Sequence, residues 1–327
     1  SIDTVPDNYS SIVGENANAV CTKMVLQAWG RGPQEVVALA CNNTHSNSIV
    51  ANAVAAYFDA PVLPIERLVI PESVESYLYS SQPSTIYVFD SEALMEESLQ
   101  QVRDLPWKPE VIVFSNPKSH FDFSFDVFEY GIEKGLWRDK LAVISFDDNP
   151  DAMAASPFLY QKKTPVLFLT DTGTQEQRDE VMSALEQMKQ GNNDIEVVLL
   201  GAKAASYFES VQYPEYATHA TVAATTSAER FVELAALIHN TSGAKSDYKV
   251  CLSPMGRWPE LQSAGCFVVK TSSTLNLLDE TSLDSIQNTF SYLRNNAQTI
   301  DGLVFIGDGL ANSGLDARAF LLQLQNR

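Results

Sequence analysis

The chain has few of the residues from which catalytic and metal sites are built. It contains 4 histidines and 4 cysteines in 327 residues, with no HExxH, CxxC or similar spacing. It also lacks the GxxxxGK[ST] phosphate loop and the G-x-S-x-G nucleophile motif. His45 follows a predicted strand end and could act as a base, although a surface position is the simpler expectation. The sequence therefore carries none of these common signatures of metal, phosphate or nucleophilic chemistry.

Long apolar runs and basic stretches are also missing. No segment approaches the roughly 18 apolar residues of a membrane-spanning helix. The net charge is −19, from 41 acidic and 22 basic residues, which opposes binding to nucleic acid and anionic lipid. We expect no nucleic-acid partner and no membrane insertion. The acidic surface is typical either of salty or extracellular surroundings or of a protein that recruits cations.

Processing, cysteine pairing and glycosylation stay open at this stage. The chain starts at Ser1 without a leader, which suggests a processed product, although a truncated chain would begin in the same way. The cysteines lie in apolar stretches and are expected in the core, and two pairs within a repeat are conceivable: Cys21 with Cys41, and Cys251 with Cys266. Three N-x-S/T sequons permit glycosylation without arguing for it: Asn8, Asn42 and Asn240.

The most informative feature present is a threefold repeat with a period of a little over 100 residues. Each copy has an apolar run, a polar turn, an Ala-rich stretch and a second apolar run, over Val36–Ile65, Leu141–Thr170 and, more loosely, Val250–Leu278. A further apolar run follows each copy. A repeat this long is a whole folding unit, so function is expected to belong to the array.

Apolar strands alternate with helical segments throughout, which predicts an α/β fold with parallel sheets covered on both faces. Together with the repeat, this predicts three tandem α/β modules. Proline-containing segments before two strands place the module boundaries, giving modules 1–108, 109–215 and 216–327.

Polar clusters at the predicted strand ends are the candidate ligand sites, because parallel sheets bind ligands at their carboxyl edge. In the second repeat Asn149 and Pro150 also suit a helix start, which is the simpler structural explanation. Calcium or a sugar held by carboxylates and amides is the functional alternative. The candidates are Asn42, Asn43 and Asn47 in the first repeat, Asp147, Asp148 and Asp151 in the second, and Arg257, Trp258 and Glu260 in the third.

Two of these clusters carry more specific hypotheses. The three aspartates of the second repeat, Asp147, Asp148 and Asp151, form the candidate metal site, and calcium is the only cofactor that the sequence leaves open. In the third repeat, Arg257 and Trp258 offer donors and an aromatic face that suit carbohydrate. Trp258 could equally be an anchor between modules.

The repeat resembles the type 2 cell-wall-binding repeat of bacterial and archaeal surface proteins. The second repeat matches best, in Asp151–Ala155 (DAMAA), Thr164–Thr170 (TPVLFLT) and Val197–Gly201 (VVLLG). The first repeat keeps Ala60–Leu63 (APVL), and the third keeps Ser227–Phe231 (SAERF) and Leu303–Gly307 (LVFIG). The second glycine of the family's strand motif is replaced by Ala202 and Asp308, and the Asp-Ala-Leu element is absent from the first and third repeats.

The resemblance implies three tandem Rossmann-like or flavodoxin-like modules in a pseudo-threefold arrangement. It also implies that they act without catalysis and hold a cell-surface polymer outside the cell. Family members favour anionic polysaccharide, which the charge of −19 opposes unless a divalent cation bridges the two. The expected partners are thus a cell-surface glycan or other subunits of a surface assembly. A structural subunit without a small ligand is the alternative, and a degenerate α/β enzyme acting on sugars is a further one.

Overall fold

The computed structural model describes residues 9–92, 96–145, 149–170, 173–189, 194–224, 226–241 and 248–307. Strands and helices alternate along them, as the repeat predicts. No helix in this described part of the chain is both long and apolar enough to cross a membrane. The final helix predicted over residues 316–324 lies outside the described residues.

The first repeat supplies four strands and four helices. Its strands are β1 (Tyr9–Ile12), β2 (Val36–Cys41), β3 (Val62–Ile65) and β4 (Thr85–Asp90). Its helices are α1 (Ala17–Trp29), α2 (His45–Tyr57), α3 (Glu72–Ser81) and α4 (Glu96–Arg103). Every residue of β2 and β3 is buried, as parallel strands covered on both faces require.

The second repeat has the same order of elements. Its strands are β5 (Glu110–Ser115), β6 (Lys140–Ser145), β7 (Val166–Leu169) and β8 (Ile195–Leu200). Its helices are α5 (His120–Glu133), α6 (Asn149–Lys162), α7 (Gln175–Lys189) and α8 (Ala202–Phe208). The start of α5 is set by Ser119, whose hydroxyl accepts a hydrogen bond from the backbone N–H of Asp122.

The third repeat again contributes four strands, and three helices of it are described. Its strands are β9 (Ala217–Val222), β10 (Tyr248–Pro254), β11 (Ser273–Leu278) and β12 (Ile300–Ile306). Its helices are α9 (Ser227–Thr241), α10 (Ala264–Lys270) and α11 (Leu283–Asn295), with a 3-10 turn at Trp258–Leu261. The sequence pattern also predicts a helix near Pro259–Ala264, and this prediction is wrong in position. The 3-10 turn occupies most of that segment, and the helix follows it.

The twelve strands form three four-stranded parallel sheets with one shared strand order. The first sheet is β3-β2-β4-β5, the second is β7-β6-β8-β9, and the third is β11-β10-β12-β1. All pairings in the three sheets are parallel. The predicted α/β fold of three modules with parallel sheets is confirmed.

Each sheet takes its fourth strand from the next repeat. β5 opens the second repeat but pairs with β4, and β9 opens the third repeat but pairs with β8. The ring closes because β1, at the start of the described chain, pairs with β12 near its end. The predicted boundaries at 108 and 215 therefore lie before the strand that completes each sheet. Whether each predicted module folds as a unit stays a prediction.

The equivalent helices α2, α6 and α10 pack against one another at the centre of this ring. All residues from His45 to Ala56 of α2 are buried, and most of them are Ala, Ser or Asn. Small side chains let helix backbones approach closely, and the polar ones bond to nearby carbonyls. The Asn52 amide, for example, donates to Ser48 O at 2.7 Å and to Gln262 O, before α10, at 3.2 Å.

The closest approach in this centre is at Gly265 of α10. A Cβ placed there would lie 2.5 Å from Asn52 Oδ1 in α2 and 2.8 Å from Ser156 Cβ in α6. Both distances are shorter than real Cβ contacts, so only glycine fits without moving a neighbouring helix. One residue of the third repeat thus meets both other repeats.

The four cysteines are buried free thiols in this structure, so the conceivable pairs Cys21–Cys41 and Cys251–Cys266 do not form. Burial raises the pKa of Cys21 to about 11 and that of Cys266 to about 12, so both are protonated at neutral pH. Cys21 donates to Pro259 O at 3.4 Å, and Cys266 accepts from Val62 N at 3.4 Å. These thiols join the first and third repeats without a covalent bond.

Ring closure is testable at Ile12 of β1, which is 4% exposed, whereas its neighbour Val13 is 44% exposed. We expect Ile12→Ala to lower the free energy of unfolding by about 2 kcal/mol, because it removes buried apolar surface between β1 and its sheet. The matched variant Val13→Ala should change it by less than about 0.5 kcal/mol. Urea denaturation measures both, and equal effects would contradict the pairing of β1.

The central contact is testable by adding one methyl group. We expect Gly265→Ala to lower the free energy of unfolding by about 2 kcal/mol, although alanine favours helices, because the methyl has no space among three helices. Gly256 has no atom within 4 Å of the position its Cβ would take. Gly256→Ala should therefore stay within about 0.5 kcal/mol of wild type. A Gly265→Ala protein as stable as wild type would show that the centre is loosely packed.

Candidate functional site

The first sheet has a crevice where its strand order reverses. The strand order is β3-β2-β4-β5, so the chain leaves β2 towards β3 on one side and leaves β4 towards β5 on the other. The connections that follow β2 and β4 therefore run in opposite directions. Ligands of parallel sheets bind in such crevices, at the carboxyl ends of the strands. Asn42 and Asn43 follow β2 here, and Asp90 ends β4.

The polar side chains of this crevice bond mainly to one another. The Asn43 amide donates to Asp90 Oδ1 at 3.2 Å, and the Asn47 amide donates to Asn43 Oδ1 at 2.8 Å and to Cys41 O at 3.0 Å. Asn47 Oδ1 accepts from Ser91 N at 2.7 Å. We call this set, with Ser46 and His120, the strand-end network. The structure brings Asn43 and Asn47 together, whereas the half-buried Asn42 takes part through its backbone N–H, which donates to Ile65 O at 3.0 Å.

A serine and a histidine from different repeats meet beside this network. Ser46 Oγ lies 3.0 Å from His120 Nδ1, and it is also 3.5 Å from Ser91 Oγ. Such a pair could resemble a nucleophile and its base, but Ser46 is fully buried. Burial also lowers the pKa of His120. This geometry is that of a structural bond that ties α5 of the second repeat to α2 of the first.

Asp90 is the buried acid of the network. Its side chain is fully buried, and its Oδ2 has no hydrogen-bond partner among the described residues. Burial raises the pKa of this carboxyl, while bonds from Glu92 N and Asn43 and the charge of Arg67 act in the opposite direction. Arg67 itself pairs with Glu92 at 3.0 Å across the mouth of the crevice.

The candidate metal site of the second repeat lies largely outside the described residues. Asp147 and Asp148 are not among them, and Asp151 is described only as a residue of α6. Across the described ranges, no group of three or more His, Cys, Asp or Glu side chains could hold a metal ion. Calcium binding by these three aspartates therefore stays a prediction.

The third cluster forms a junction between repeats. Arg257 pairs with Glu260 at 2.8 Å, and the Glu260 carboxylate lies over Gly307 at the end of β12. The half-buried Trp258 packs edge-on against His45 of the first repeat, with ring centroids 6.3 Å apart. This geometry is that of an anchor between repeats, which is one of the two roles that the sequence leaves open for Trp258.

His45 lies in the interior and not on the surface, contrary to the sequence expectation. It is 5% exposed and sits between Phe168 of the second repeat and Trp258 of the third. The ring centroids of His45 and Phe168 are 6.5 Å apart. One aromatic side chain from each repeat thus meets at the centre, where a histidine serves as packing.

A small groove opens at the carboxyl edge of the third sheet, where α9 and α11 begin. It has a volume of about 220 Å³, and its lining includes Thr226, Asp279, Ser282 and Asp284. The helix starts are satisfied locally, because Ser282 Oγ accepts from Ser285 N, and Thr226 exchanges bonds with Glu229. The aspartates add negative charge, so this groove suits a neutral or cationic group better than an anion.

Sequence reasoning missed Asp90, Ser46 and His120 as members of one cluster. They belong to different elements, and His120 comes from another repeat. The available signal was topological: β2 and β4 are neighbours in the strand order, so their following residues must meet. Nothing in local spacing indicates that the start of α5 reaches the same point.

The buried acid gives a prediction with a defined sign. Because the pKa of Asp90 is raised above its ordinary 3.8, its stabilising contribution is present below that pH and is lost as the pH rises through the folded-state pKa. We expect Asp90→Asn to be more stable than wild type at pH 7, with the difference shrinking as the pH falls towards 3.8. Urea unfolding across this range measures the difference.

The control is Asp104, an exposed acid whose pKa is lowered by hydrogen bonds from Gln100 and Lys108. Asp104→Asn should show the opposite sign: slightly less stable than wild type at pH 7, with the difference vanishing in acid. A pH-independent effect of Asp90→Asn would contradict the buried-acid assignment.

The architecture is similar to that of two solved proteins of low sequence identity. Cwp6 from Clostridium difficile superposes with a TM-score of 0.73 at 16% identity, over 98% of this chain and 50% of that one. Cwp8 from the same organism gives 0.73 at 14% identity, over 98% and 52%. No protein-family model and no curated protein sequence matches the chain. The chain thus shares the fold of about half of each neighbour.

Proposed function

We propose that this protein is a non-catalytic cell-surface protein that holds an extracellular polysaccharide. The observation that supports the proposal most is the superposition of almost the whole chain on part of Cwp6 and Cwp8, which are cell wall proteins. The likeness covers the three-module ring as a unit, so the proposed role belongs to the ring and not to one module. Extracellular localisation is part of the same proposal.

The ligand regions we propose are the carboxyl edges of the sheets, where the repeats meet. In the first repeat most polar side chains of the strand-end network bond to one another, so the network offers a ligand only half-buried amides such as Asn43. The groove at Asp279 and Asp284 is open and acidic. With a net charge of −19, these edges favour a neutral polymer, or an anionic one bridged by calcium at Asp147, Asp148 and Asp151.

The test is retention of the chain on purified cell-envelope polysaccharide, measured by biolayer interferometry with calcium and with EDTA. We expect Asp147→Ala/Asp148→Ala/Asp151→Ala to weaken binding at least tenfold, equivalent to about 1.4 kcal/mol. The matched control changes the same net charge at three exposed acids of α3 and α4: Glu72→Ala/Glu75→Ala/Glu97→Ala. It should bind within about twofold of wild type, because surface charges far from a site contribute little.

Two results would contradict the proposal. If wild-type protein binds no envelope polysaccharide with calcium or with EDTA, a polysaccharide is not the ligand. If both triple variants lose affinity equally, the loss reflects net charge and not a site at the three aspartates. Failure to bind together with self-association in analytical ultracentrifugation would favour the second candidate, a structural subunit. Leu68 and Val69 are 60% and 43% exposed on the loop after β3 and are the apolar contact that such an assembly would use.

A further inference from the structure

A cavity of about 440 Å³ lies between α8 and β9, the edge strand of the second sheet. Its wall combines apolar and polar groups, which is the usual composition of small-molecule sites, and its volume falls within their range. The polar groups come from both sides of the cavity: Ser206, Glu209, Tyr213, His219 and Thr221.

Beside this cavity the second sheet differs from the first at two equivalent positions. In the first sheet, Ile86 and Val88 of β4 pair with Val111 and Val113 of β5. Those valines pack into an apolar cluster under α4. In the second sheet, the matching strand β8 pairs with His219 and Thr221 of β9. The edge strand of the second sheet thus presents polar side chains to the cavity where that of the first sheet presents apolar ones.

Three rings form a nearly parallel ladder along one wall. Phe208 and Tyr213 have ring centroids 6.5 Å apart and planes inclined at 17°, and Tyr213 and His219 have centroids 4.8 Å apart and planes at 20°. A cage for a cation needs aromatic faces turned towards one point. Parallel rings instead present the flat outer face of the last ring, here the exposed His219.

Hydrogen-bonding groups also line the cavity. Ser206, Glu209 and Thr221 are exposed and offer hydroxyl and carboxylate oxygens. The Tyr213 hydroxyl is shielded from solvent, so a ligand in the cavity would not reach it. The carboxylate of Glu209 disfavours an anionic ligand.

We propose that this cavity binds a single uncharged sugar ring, with the C–H face of the sugar on His219 and its hydroxyls on Ser206, Glu209 and Thr221. The choice of sugar as ligand class rests on the proposed function, but the position does not, because the cavity is separate from the strand-end network and from the groove at Asp279. The site would give the second repeat a contact with one unit of a glycan that the first repeat cannot make.

The experiment uses the full chain and saturation-transfer difference NMR with uncharged methyl glycosides of glucose, galactose, mannose and N-acetylglucosamine. We expect at least one glycoside to bind saturably. The decisive variant is His219→Val/Thr221→Val, which gives β9 the apolar pair of the first sheet and removes the ring and the hydroxyl that would hold the sugar. It should weaken binding at least tenfold, and its thermal midpoint should stay close to that of wild type, because valine suits an exposed position of an edge strand.

Tyr213→Phe is the control variant. It keeps the ladder and removes a hydroxyl that is shielded from the cavity, so it should bind within about twofold of wild type. The proposal is overturned if no glycoside binds wild type, if His219→Val/Thr221→Val binds as wild type does, or if choline chloride competes for the cavity. Loss of glycoside binding in that double variant, with polysaccharide retention unchanged, supports this site apart from the aspartates of the second repeat. Absent glycoside binding with intact polysaccharide retention overturns this site alone.

Discussion

The close approach of α2, α6 and α10 is the constraint on which the rest of the molecule depends. Each helix follows the first buried strand of its repeat core, and together they fill the centre of the ring. Helices can approach this closely only where the side chains between them are small, and the tightest contact is at Gly265. In each module, the Ala-rich stretch that defines the repeat forms the side that the other two modules cover.

Strand exchange between repeats also holds the modules together. A module that keeps all its strands could separate from its neighbours by losing side-chain contacts alone. Here separation would also break main-chain pairing at β5, β9 and β1 and expose sheet edges. Side chains reinforce the same seams, as where the Tyr160 hydroxyl donates to Ala60 O at 3.0 Å. The absence of flexible linkers between repeats follows from this arrangement.

Most of the sheet architecture could be predicted from the sequence because buried parallel strands are uniformly apolar. β1 could not, since Tyr9–Ile12 (YSSI) has two serines and its partner β12 lies at the other end of the chain. The position of α10 was also missed, because its Cys266–Val269 segment (CFVV) is rich in residues that favour strands. Its helical state comes from packing against α2 and α6, which local propensity does not encode.

The candidate site was predictable in part, for a related reason. Asn43 and Asn47 follow one strand and were found, whereas Asp90 and His120 meet them only through topology. The three strand ends have also diverged, with Asp90 in the first repeat, Gly201 in the second and Gly307 in the third at matching positions. A shared binding chemistry at all three ends would oppose such divergence.

Divergence at one strand end leaves the others intact because each polar group there bonds within its own junction. Asn43 and Asp90 bond to each other, and Arg257 bonds to Glu260. The packed central helices and the shared strands are therefore common to the three repeats, while the polar chemistry at the sheet edges differs between them. The edge strands differ in the same way. At equivalent places the first sheet has Val111 and Val113 and the second has His219 and Thr221, yet the two sheets share one strand order.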